Sequence, residues 1–245
     1  MTMIPSSEFQ RRLLGGDALP AGLTVDGDLR LTACPPLTAL PPGLTVGGSL
    51  VLLNCSAVTA LPAGLTVRDD LRLTGCPALT ALPADLMVVG SLDLRDCTGL
   101  TALPAGLTVG GDLALIGCPA LTALPAGLTV RGDLSLIDCP ALTTLPAGLT
   151  VGGSLVLINC PAVTALPPGL TVWGRLDLRD CPGLDHLRVG TDARGYRFYG
   201  VPMRDDVHVI AGCRNYTPAE ARAHWPEGTE CRALAEKCIK KGDGT

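Results

Sequence analysis

The chain has 245 residues and a formal net charge of −4, which removes any global attraction for nucleic acid or for an anionic membrane surface. Hydrophobic residues make up 47% of it, but they are interleaved with Gly, Pro, Thr and Asp, and no stretch approaches the roughly 20 apolar residues of a membrane span. The opening MTMIPSSEFQRRLLGG lacks the apolar core and small-residue cleavage site of a secretory signal, so a cytoplasmic setting is expected, with export by a signal-less route left open.

Composition shifts along the chain. Of seven aromatic residues only Phe9 precedes Trp173, and all three lysines (Lys237, Lys240, Lys241) lie near the C-terminal end. Three regions are expected: a capping helix in 1–18, a repeat solenoid over 19–186, and an α+β cap module over 187–245. In the first, Ser6 or Ser7 is expected to cap a helix running to about Leu14. Phe9 and Leu13 would share a face, and Gly15-Gly16 would end the helix.

From Leu19 a unit of 21 residues repeats eight times without a gap, starting at Leu19, Leu40, Leu61, Leu82, Leu103, Leu124, Leu145 and Leu166. The consensus is L-P-x-G-L-T-V-x-G-x-L-x-L-x-x-C-P-x-L-T-A. A fixed period of this length means a solenoid. In the fifth unit, Leu113 and Leu115 alternate with period two, so they form a short strand with both leucines inside. Eight such strands would stack into a parallel sheet about 38 Å long. Leu107-Thr108-Val109 and Leu121-Thr122-Ala123 predict two further extended segments per coil. Pro104 blocks helix by lacking an N–H, and Gly106 and Gly111 suit corners. The expected fold is therefore mainly β: a leucine-rich-repeat-like parallel solenoid of eight coils with little helix opposite the main strands.

The motif L-x-L-x-x-C-x-x-L is similar to the strand-and-turn segment of leucine-rich repeats. The following L-T-A-L-P-A-G-L resembles the Leu-Pro-rich repeats of bacterial secreted effectors. The whole unit, L-P-x-x-L-x-V-G-G-x-L-x-L, resembles repeats of bacterial and phage proteins. This resemblance covers 19–186. It departs from the effector type at the cysteine, where asparagine is more usual, and at V-G-G, and nothing resembles the ubiquitin-ligase domain some effectors carry. The resemblance implies binding of a partner and does not identify it.

One cysteine per coil (Cys34, Cys55, Cys76, Cys97, Cys118, Cys139, Cys160, Cys181) falls at the inward turn after the strand. A small apolar thiol fits there. Parallel Cβ vectors disfavour a disulfide, and a line of thiols is not a tetrahedron for zinc. Such a ladder of free thiols suits a reducing compartment.

Outward positions of the main strand form two columns. The first reads Arg30, Val51, Arg72, Asp93, Ala114, Ser135, Val156, Asp177, and the second Thr32, Leu53, Thr74, Arg95, Ile116, Ile137, Ile158, Arg179. Ile116, Ile137 and Ile158, with Ala114 and Val156 beside them, predict an apolar strip rimmed by Asp93, Arg95, Asp177 and Arg179. Such a surface suits a protein partner, and Arg72 and Ser135 belong to the same face. Stacked isoleucines equally stabilise neighbouring rungs; both readings stand together. Residues 19–186 carry seven arginines against thirteen aspartates, a charge that would suit a basic partner, though aspartates also form turns. Threonine ranks (Thr24, Thr45, Thr66, Thr108, Thr129, Thr150, Thr171, and Thr38 through Thr164) raise the alternative of an ice-binding solenoid.

Beyond Leu187, strands are expected at Leu187–Val189, Tyr196–Val201 and Val207–Ala211, with turns at 192–195 and 202–206. Thr217-Pro218 followed by Glu220 is a capping box with proline at the first helical position, predicting a helix to about Trp225. A last helix is expected over Glu230–Lys240. Cys213, Cys231 and Cys238, with His208 and His224, raise zinc as an option, yet Cys231, Leu234, Ala235 and Cys238 fit one face of a helix. No residue is assigned as catalytic, metal-ligating or cofactor-binding, and no cofactor is expected. The expected function is non-enzymatic binding of a protein through the main sheet. The alternatives are a structural solenoid whose C-terminal module does the recognising, and an enzyme in that module.

Overall fold

A computed structural model describes residues 3–34, 37–194, 197–202, 207–211 and 214–243. The repeat folds as a parallel β-solenoid of eight coils, here numbered as rungs 1 to 8 from Leu19, followed by a small α+β segment. The main sheet has eight strands, from Leu29–Thr32 in rung 1 to Leu176–Asp177 in rung 8. A second sheet of nine strands is built from the Thr-Val pairs, such as Thr108–Val109, with Met3–Pro5 as an additional first strand. Both sheets keep the 21-residue register: Leu113 pairs with Leu134, and Thr108 with Thr129.

The inward leucines, valines and cysteines of all rungs form one continuous core between the sheets. The expected third strand per coil is not a sheet. Among the described residues, only the bridges Ala60–Ala81 and Ala123–Thr144 form on that side, together with single ladder bonds such as Thr143 N–H to Thr122 O at 2.9 Å. A proline follows each leucine of the Leu-Pro pair and has no N–H to extend the ladder. The two threonine ranks consequently lie on different sides of the rod, and Met87 interrupts the one on the second sheet.

Two corner ladders explain positions that look arbitrary in the sequence. Before the main strand, an Asp or Ser side chain accepts the N–H of its counterpart on the next rung. Examples are Asp133 N–H to Asp112 Oδ1 at 2.8 Å and Asp112 N–H to Ser91 Oγ at 3.1 Å. After the main strand, every rung passes through the left-handed region: Ala33, Asn54, Gly75, Asp96, Gly117, Asp138, Asn159 and Asp180 have φ between 48° and 69°. That conformation selects Gly, Asn and Asp.

At the front, helix α1 (Ser6–Leu14) buries Phe9 completely against rung 1, and Gln10 Nε2 donates to Arg30 O. Neither Ser6 nor Ser7 caps α1; Pro5 occupies the N-cap without a side-chain bond. The chain enters the helix directly from a strand, so both serines are already inside it. Met3–Pro5 pairs in parallel with Thr24–Asp26, placing Pro5 opposite Asp26. In that column the N–H bonds back to the preceding rung, as Gly47 to Val25 O at 2.9 Å and Trp173 to Val151 O at 3.1 Å.

At the back, a 3₁₀ turn over Pro182–Leu187 leads to an antiparallel sheet of Arg188–Thr191, Arg197–Pro202, Val207–Ala211 and Arg214–Tyr216. The fourth strand was not legible in the sequence. Tyr199, Val201 and Ile210 close the solenoid core, while Phe198, Val209, Ala221, Trp225, Ala235 and Cys238 form a second small core. Helix α2 (Pro218–His224) carries the expected capping box: Thr217 N–H donates to Glu220 Oε2 at 2.8 Å, and Glu220 N–H to Thr217 Oγ1 at 3.3 Å. Helix α3 (Glu230–Asp243) runs three residues beyond the expected end at Lys240. Of the expected turn at 202–206, Pro202 ends the strand Arg197–Pro202, while 203–206, like Cys213, lie outside the described residues. No helix among the described residues is long and apolar enough to cross a membrane.

Candidate partner-binding face

The alternation of the main strand places Ala114, Ser135 and Val156 in one outward column and Ile116, Ile137 and Ile158 in the next, in register across rungs 5 to 7. All six side chains are half-buried, whereas the leucines between them are fully buried. Rung stacking covers part of each isoleucine and leaves the rest outside, so packing and presentation coexist.

Rungs 4 and 8 frame this strip with the same sequence, Leu-Asp-Leu-Arg-Asp-Cys, at 92–97 and 176–181. The two framing aspartates differ from expectation. Asp93 and Asp177 sit in an outward column but are only 7% and 6% exposed. The cause is the arginine two residues on, which folds back over the carboxylate. Arg95 Nε lies 3.0 Å from both oxygens of Asp93 and Nη2 2.6 Å from Oδ2. Arg179 repeats the clamp on Asp177, with Nε 2.9 Å from both oxygens and Nη2 2.7 Å from Oδ2.

The backbone N–H of each arginine also donates to its own aspartate, at 3.0 Å for Arg95 and 3.2 Å for Arg179. A donor turned onto a side chain leaves the ladder, and the strands at these rungs, Leu92–Asp93 and Leu176–Asp177, are two residues long instead of four. The Asp93 carboxylate holds the Arg95 guanidinium above its ordinary pKa, chiefly through their hydrogen bonds. The exposed end of each pair is cationic: the side chains of Arg95 and Arg179 are 52% and 64% exposed, those of Asp93 and Asp177 10% and 8%. Arg72 is also outward and exposed, but it pairs with Asp70 at the corner, at 2.9 Å.

The ladder cysteines are all buried and free. From rung 2 onward each Sγ donates to a leucine carbonyl 24 residues earlier, as Cys118 to Leu94 O and Cys139 to Leu115 O, both at 3.2 Å. Burial pushes the thiols of Cys97 and Cys118 up to about 12, which makes them poor nucleophiles. No group of three or more His, Cys, Asp or Glu side chains suited to a metal occurs among the described residues. Cys238 is buried in the small core, while Cys231 contacts the Asp192–Arg194 pair.

The C-terminal segment holds an open cleft of about 430 Å³ lined by Tyr216, Glu220, Ala223 and His224. Tyr216 lies 5.0 Å from His224 and 4.9 Å from Trp225 between ring centroids. Hydrogen bonds from Thr217 hold Glu220 below the usual carboxylate pKa. The sequence singles out His224 but gives no sign of this cleft, whose Tyr216 lies on the strand Arg214–Tyr216. Met87, which interrupts the threonine rank of the second sheet, is exposed at 63%, and Val89 and Trp173, just beyond the strands Met87–Val88 and Thr171–Val172, at 62% and 78%.

No protein-family model, curated protein or solved structure matches the chain. Its functional reading accordingly rests on its own geometry.

Proposed function

We propose that the protein is a non-enzymatic scaffold, of the bacterial or phage leucine-rich-repeat kind its repeat resembles, that binds another protein through the outer face of the main sheet. The carrying observation is the half-buried strip Ile116, Ile137 and Ile158, set in register and framed by the Asp93–Arg95 and Asp177–Arg179 clamps. An apolar centre with a charged rim is the anatomy of a protein interface. The test is capture of partners from a source lysate with the wild-type chain, Ile137→Asp, and Tyr216→Ala/His224→Ala. Loss of the same partner in Ile137→Asp alone supports this reading. If no captured protein depends on Ile137, the reading falls.

A second reading places recognition in the C-terminal segment, favoured by the open cleft beside Tyr216 and Glu220. Loss confined to the Tyr216→Ala/His224→Ala variant selects it.

A further inference from the structure

The strip carries more information than its polarity. Its three isoleucines repeat at the rung spacing, about 4.8 Å. The two guanidinium groups that end it sit four rungs apart, about 19 Å. Both numbers constrain what can lie along it.

An extended strand laid along the rod presents alternate side chains about 6.6 Å apart; after two steps it is more than 3 Å out of phase with the isoleucines. An α-helix laid the same way presents side chains at i, i+3 and i+7, spaced about 4.5 and 6 Å along its axis. Over two rungs it travels about 10.5 Å against about 9.6 Å for the rod, so its apolar stripe stays in step. Positions i and i+11, or i and i+14, return to nearly the same face and are about 16 and 21 Å apart. That interval brackets the two guanidinium ends.

Charge selects the ends of the helix. At each end of the strip the carboxylate is underneath and the guanidinium outside. Acidic side chains would therefore be favoured there, and basic ones opposed. The same disposition argues against a second copy of this chain, which would bring guanidinium against guanidinium.

Resting on the reading of this face as a protein-binding surface, we infer that its occupant is an amphipathic α-helix lying along the rod across rungs 4 to 8. Its apolar stripe meets Ile116, Ile137 and Ile158. An acidic residue at each end meets Arg95 and Arg179, in place of the basic partner that the charge count suggested.

The test uses three dye-labelled synthetic peptides of about 20 residues. One has leucines at helical spacing with glutamate at both ends, one is the same with lysine ends, and one has alternating leucines with glutamate ends. Fluorescence anisotropy against the full chain is expected to show the first binding about tenfold or more tighter than either other peptide. That preference should shrink in about 0.5 M salt and in Arg179→Gln, and binding should vanish in Ile137→Asp. Circular dichroism checks that both variants fold; Ile137→Ser, which introduces a residue already tolerated in the neighbouring column, serves if the aspartate does not. Equal binding of the alternating or lysine-ended peptide overturns the inference. So does Ile137-dependent self-association in sedimentation, which would put a second copy on the face. If no peptide binds while a lysate protein is still lost with Ile137→Asp, the helix is overturned and the protein-binding face stands.

Discussion

Arg95 closes over Asp93, its Nε 3.0 Å from each carboxylate oxygen, so that an aspartate on the outer face of a sheet is only 7% exposed. The pair is a unit. Removing the arginine alone takes away both the cover and the ion pair and returns the carboxylate to water, so Arg95→Ala is expected to cost up to about 1 kcal/mol. Replacing both, as Asp93→Val/Arg95→Ile, turns rung 4 into the Leu-Val-Leu-Ile of rung 7 and should leave stability at or above wild type. Urea midpoints for the three proteins decide this.

The thiol ladder sets a pH limit. Burial lifts Cys97 and Cys118 from an ordinary value of 9.0 to about 12. The folded chain thus holds protons that the unfolded chain releases above pH 9. Stability tied to these thiols is complete below that pH and declines as pH rises toward 12. Urea midpoints at pH 7, 9 and 10 are expected to fall in that order, and less steeply in Cys97→Ala/Cys118→Ala. At pH 8 a thiol reagent should leave these two cysteines unlabelled until the protein is unfolded.

Ala33 occupies the left-handed corner with φ 48°, where seven other rungs place Gly, Asn or Asp. Ala33→Gly relieves that strain and should stabilise the chain by about 1 kcal/mol. At the same corner of rung 5, Gly117→Ala should destabilise by about 1–2 kcal/mol, because the new Cβ meets strain as well as Asp96 Oδ1 at 2.6 Å. Thermal melts of the two variants should move in opposite directions.

Register makes each rung a removable part. Deleting residues 124–144 takes out one 21-residue unit and joins Ala123 to Leu145, restoring the Ala-Leu junction found at Ala123-Leu124. The shortened chain is expected to fold with unchanged circular dichroism per residue, since each rung contacts mainly its neighbours. Deleting one residue fewer shifts every inward leucine beyond the cut and should leave rungs 7 and 8 unpaired, detectable as rapid amide exchange confined to them.

The inward pattern was legible because one side-chain type repeats at each buried position: leucine at 113 and 115, cysteine at 118. The left-handed corner was not, since Ala33, Asn54, Gly75 and Asp96 share a backbone angle and no side-chain property. Alternation placed Asp93 outside correctly but could not show that Arg95 covers it, because that depends on a side chain folding back along its own strand. The strand Arg214–Tyr216 and the first strand Met3–Pro5 escaped notice for another reason. Each is three residues long and is defined by its pairing, Met3–Pro5 with Thr24–Asp26 and Arg214–Tyr216 with the preceding strand Val207–Ala211.

Pro5 gives the rod a direction in which it does not grow. Every rung offers its next neighbour the pattern it took from the last, the property that lets such ladders seed fibrils. In the column of Pro5 the N–H reaches back to the preceding rung, as Gly47 does to Val25. A proline there has nothing to donate. A foreign strand arriving at this edge meets a missing bond at the step where elongation would begin, and the open end of a self-templating lattice becomes a chain terminator.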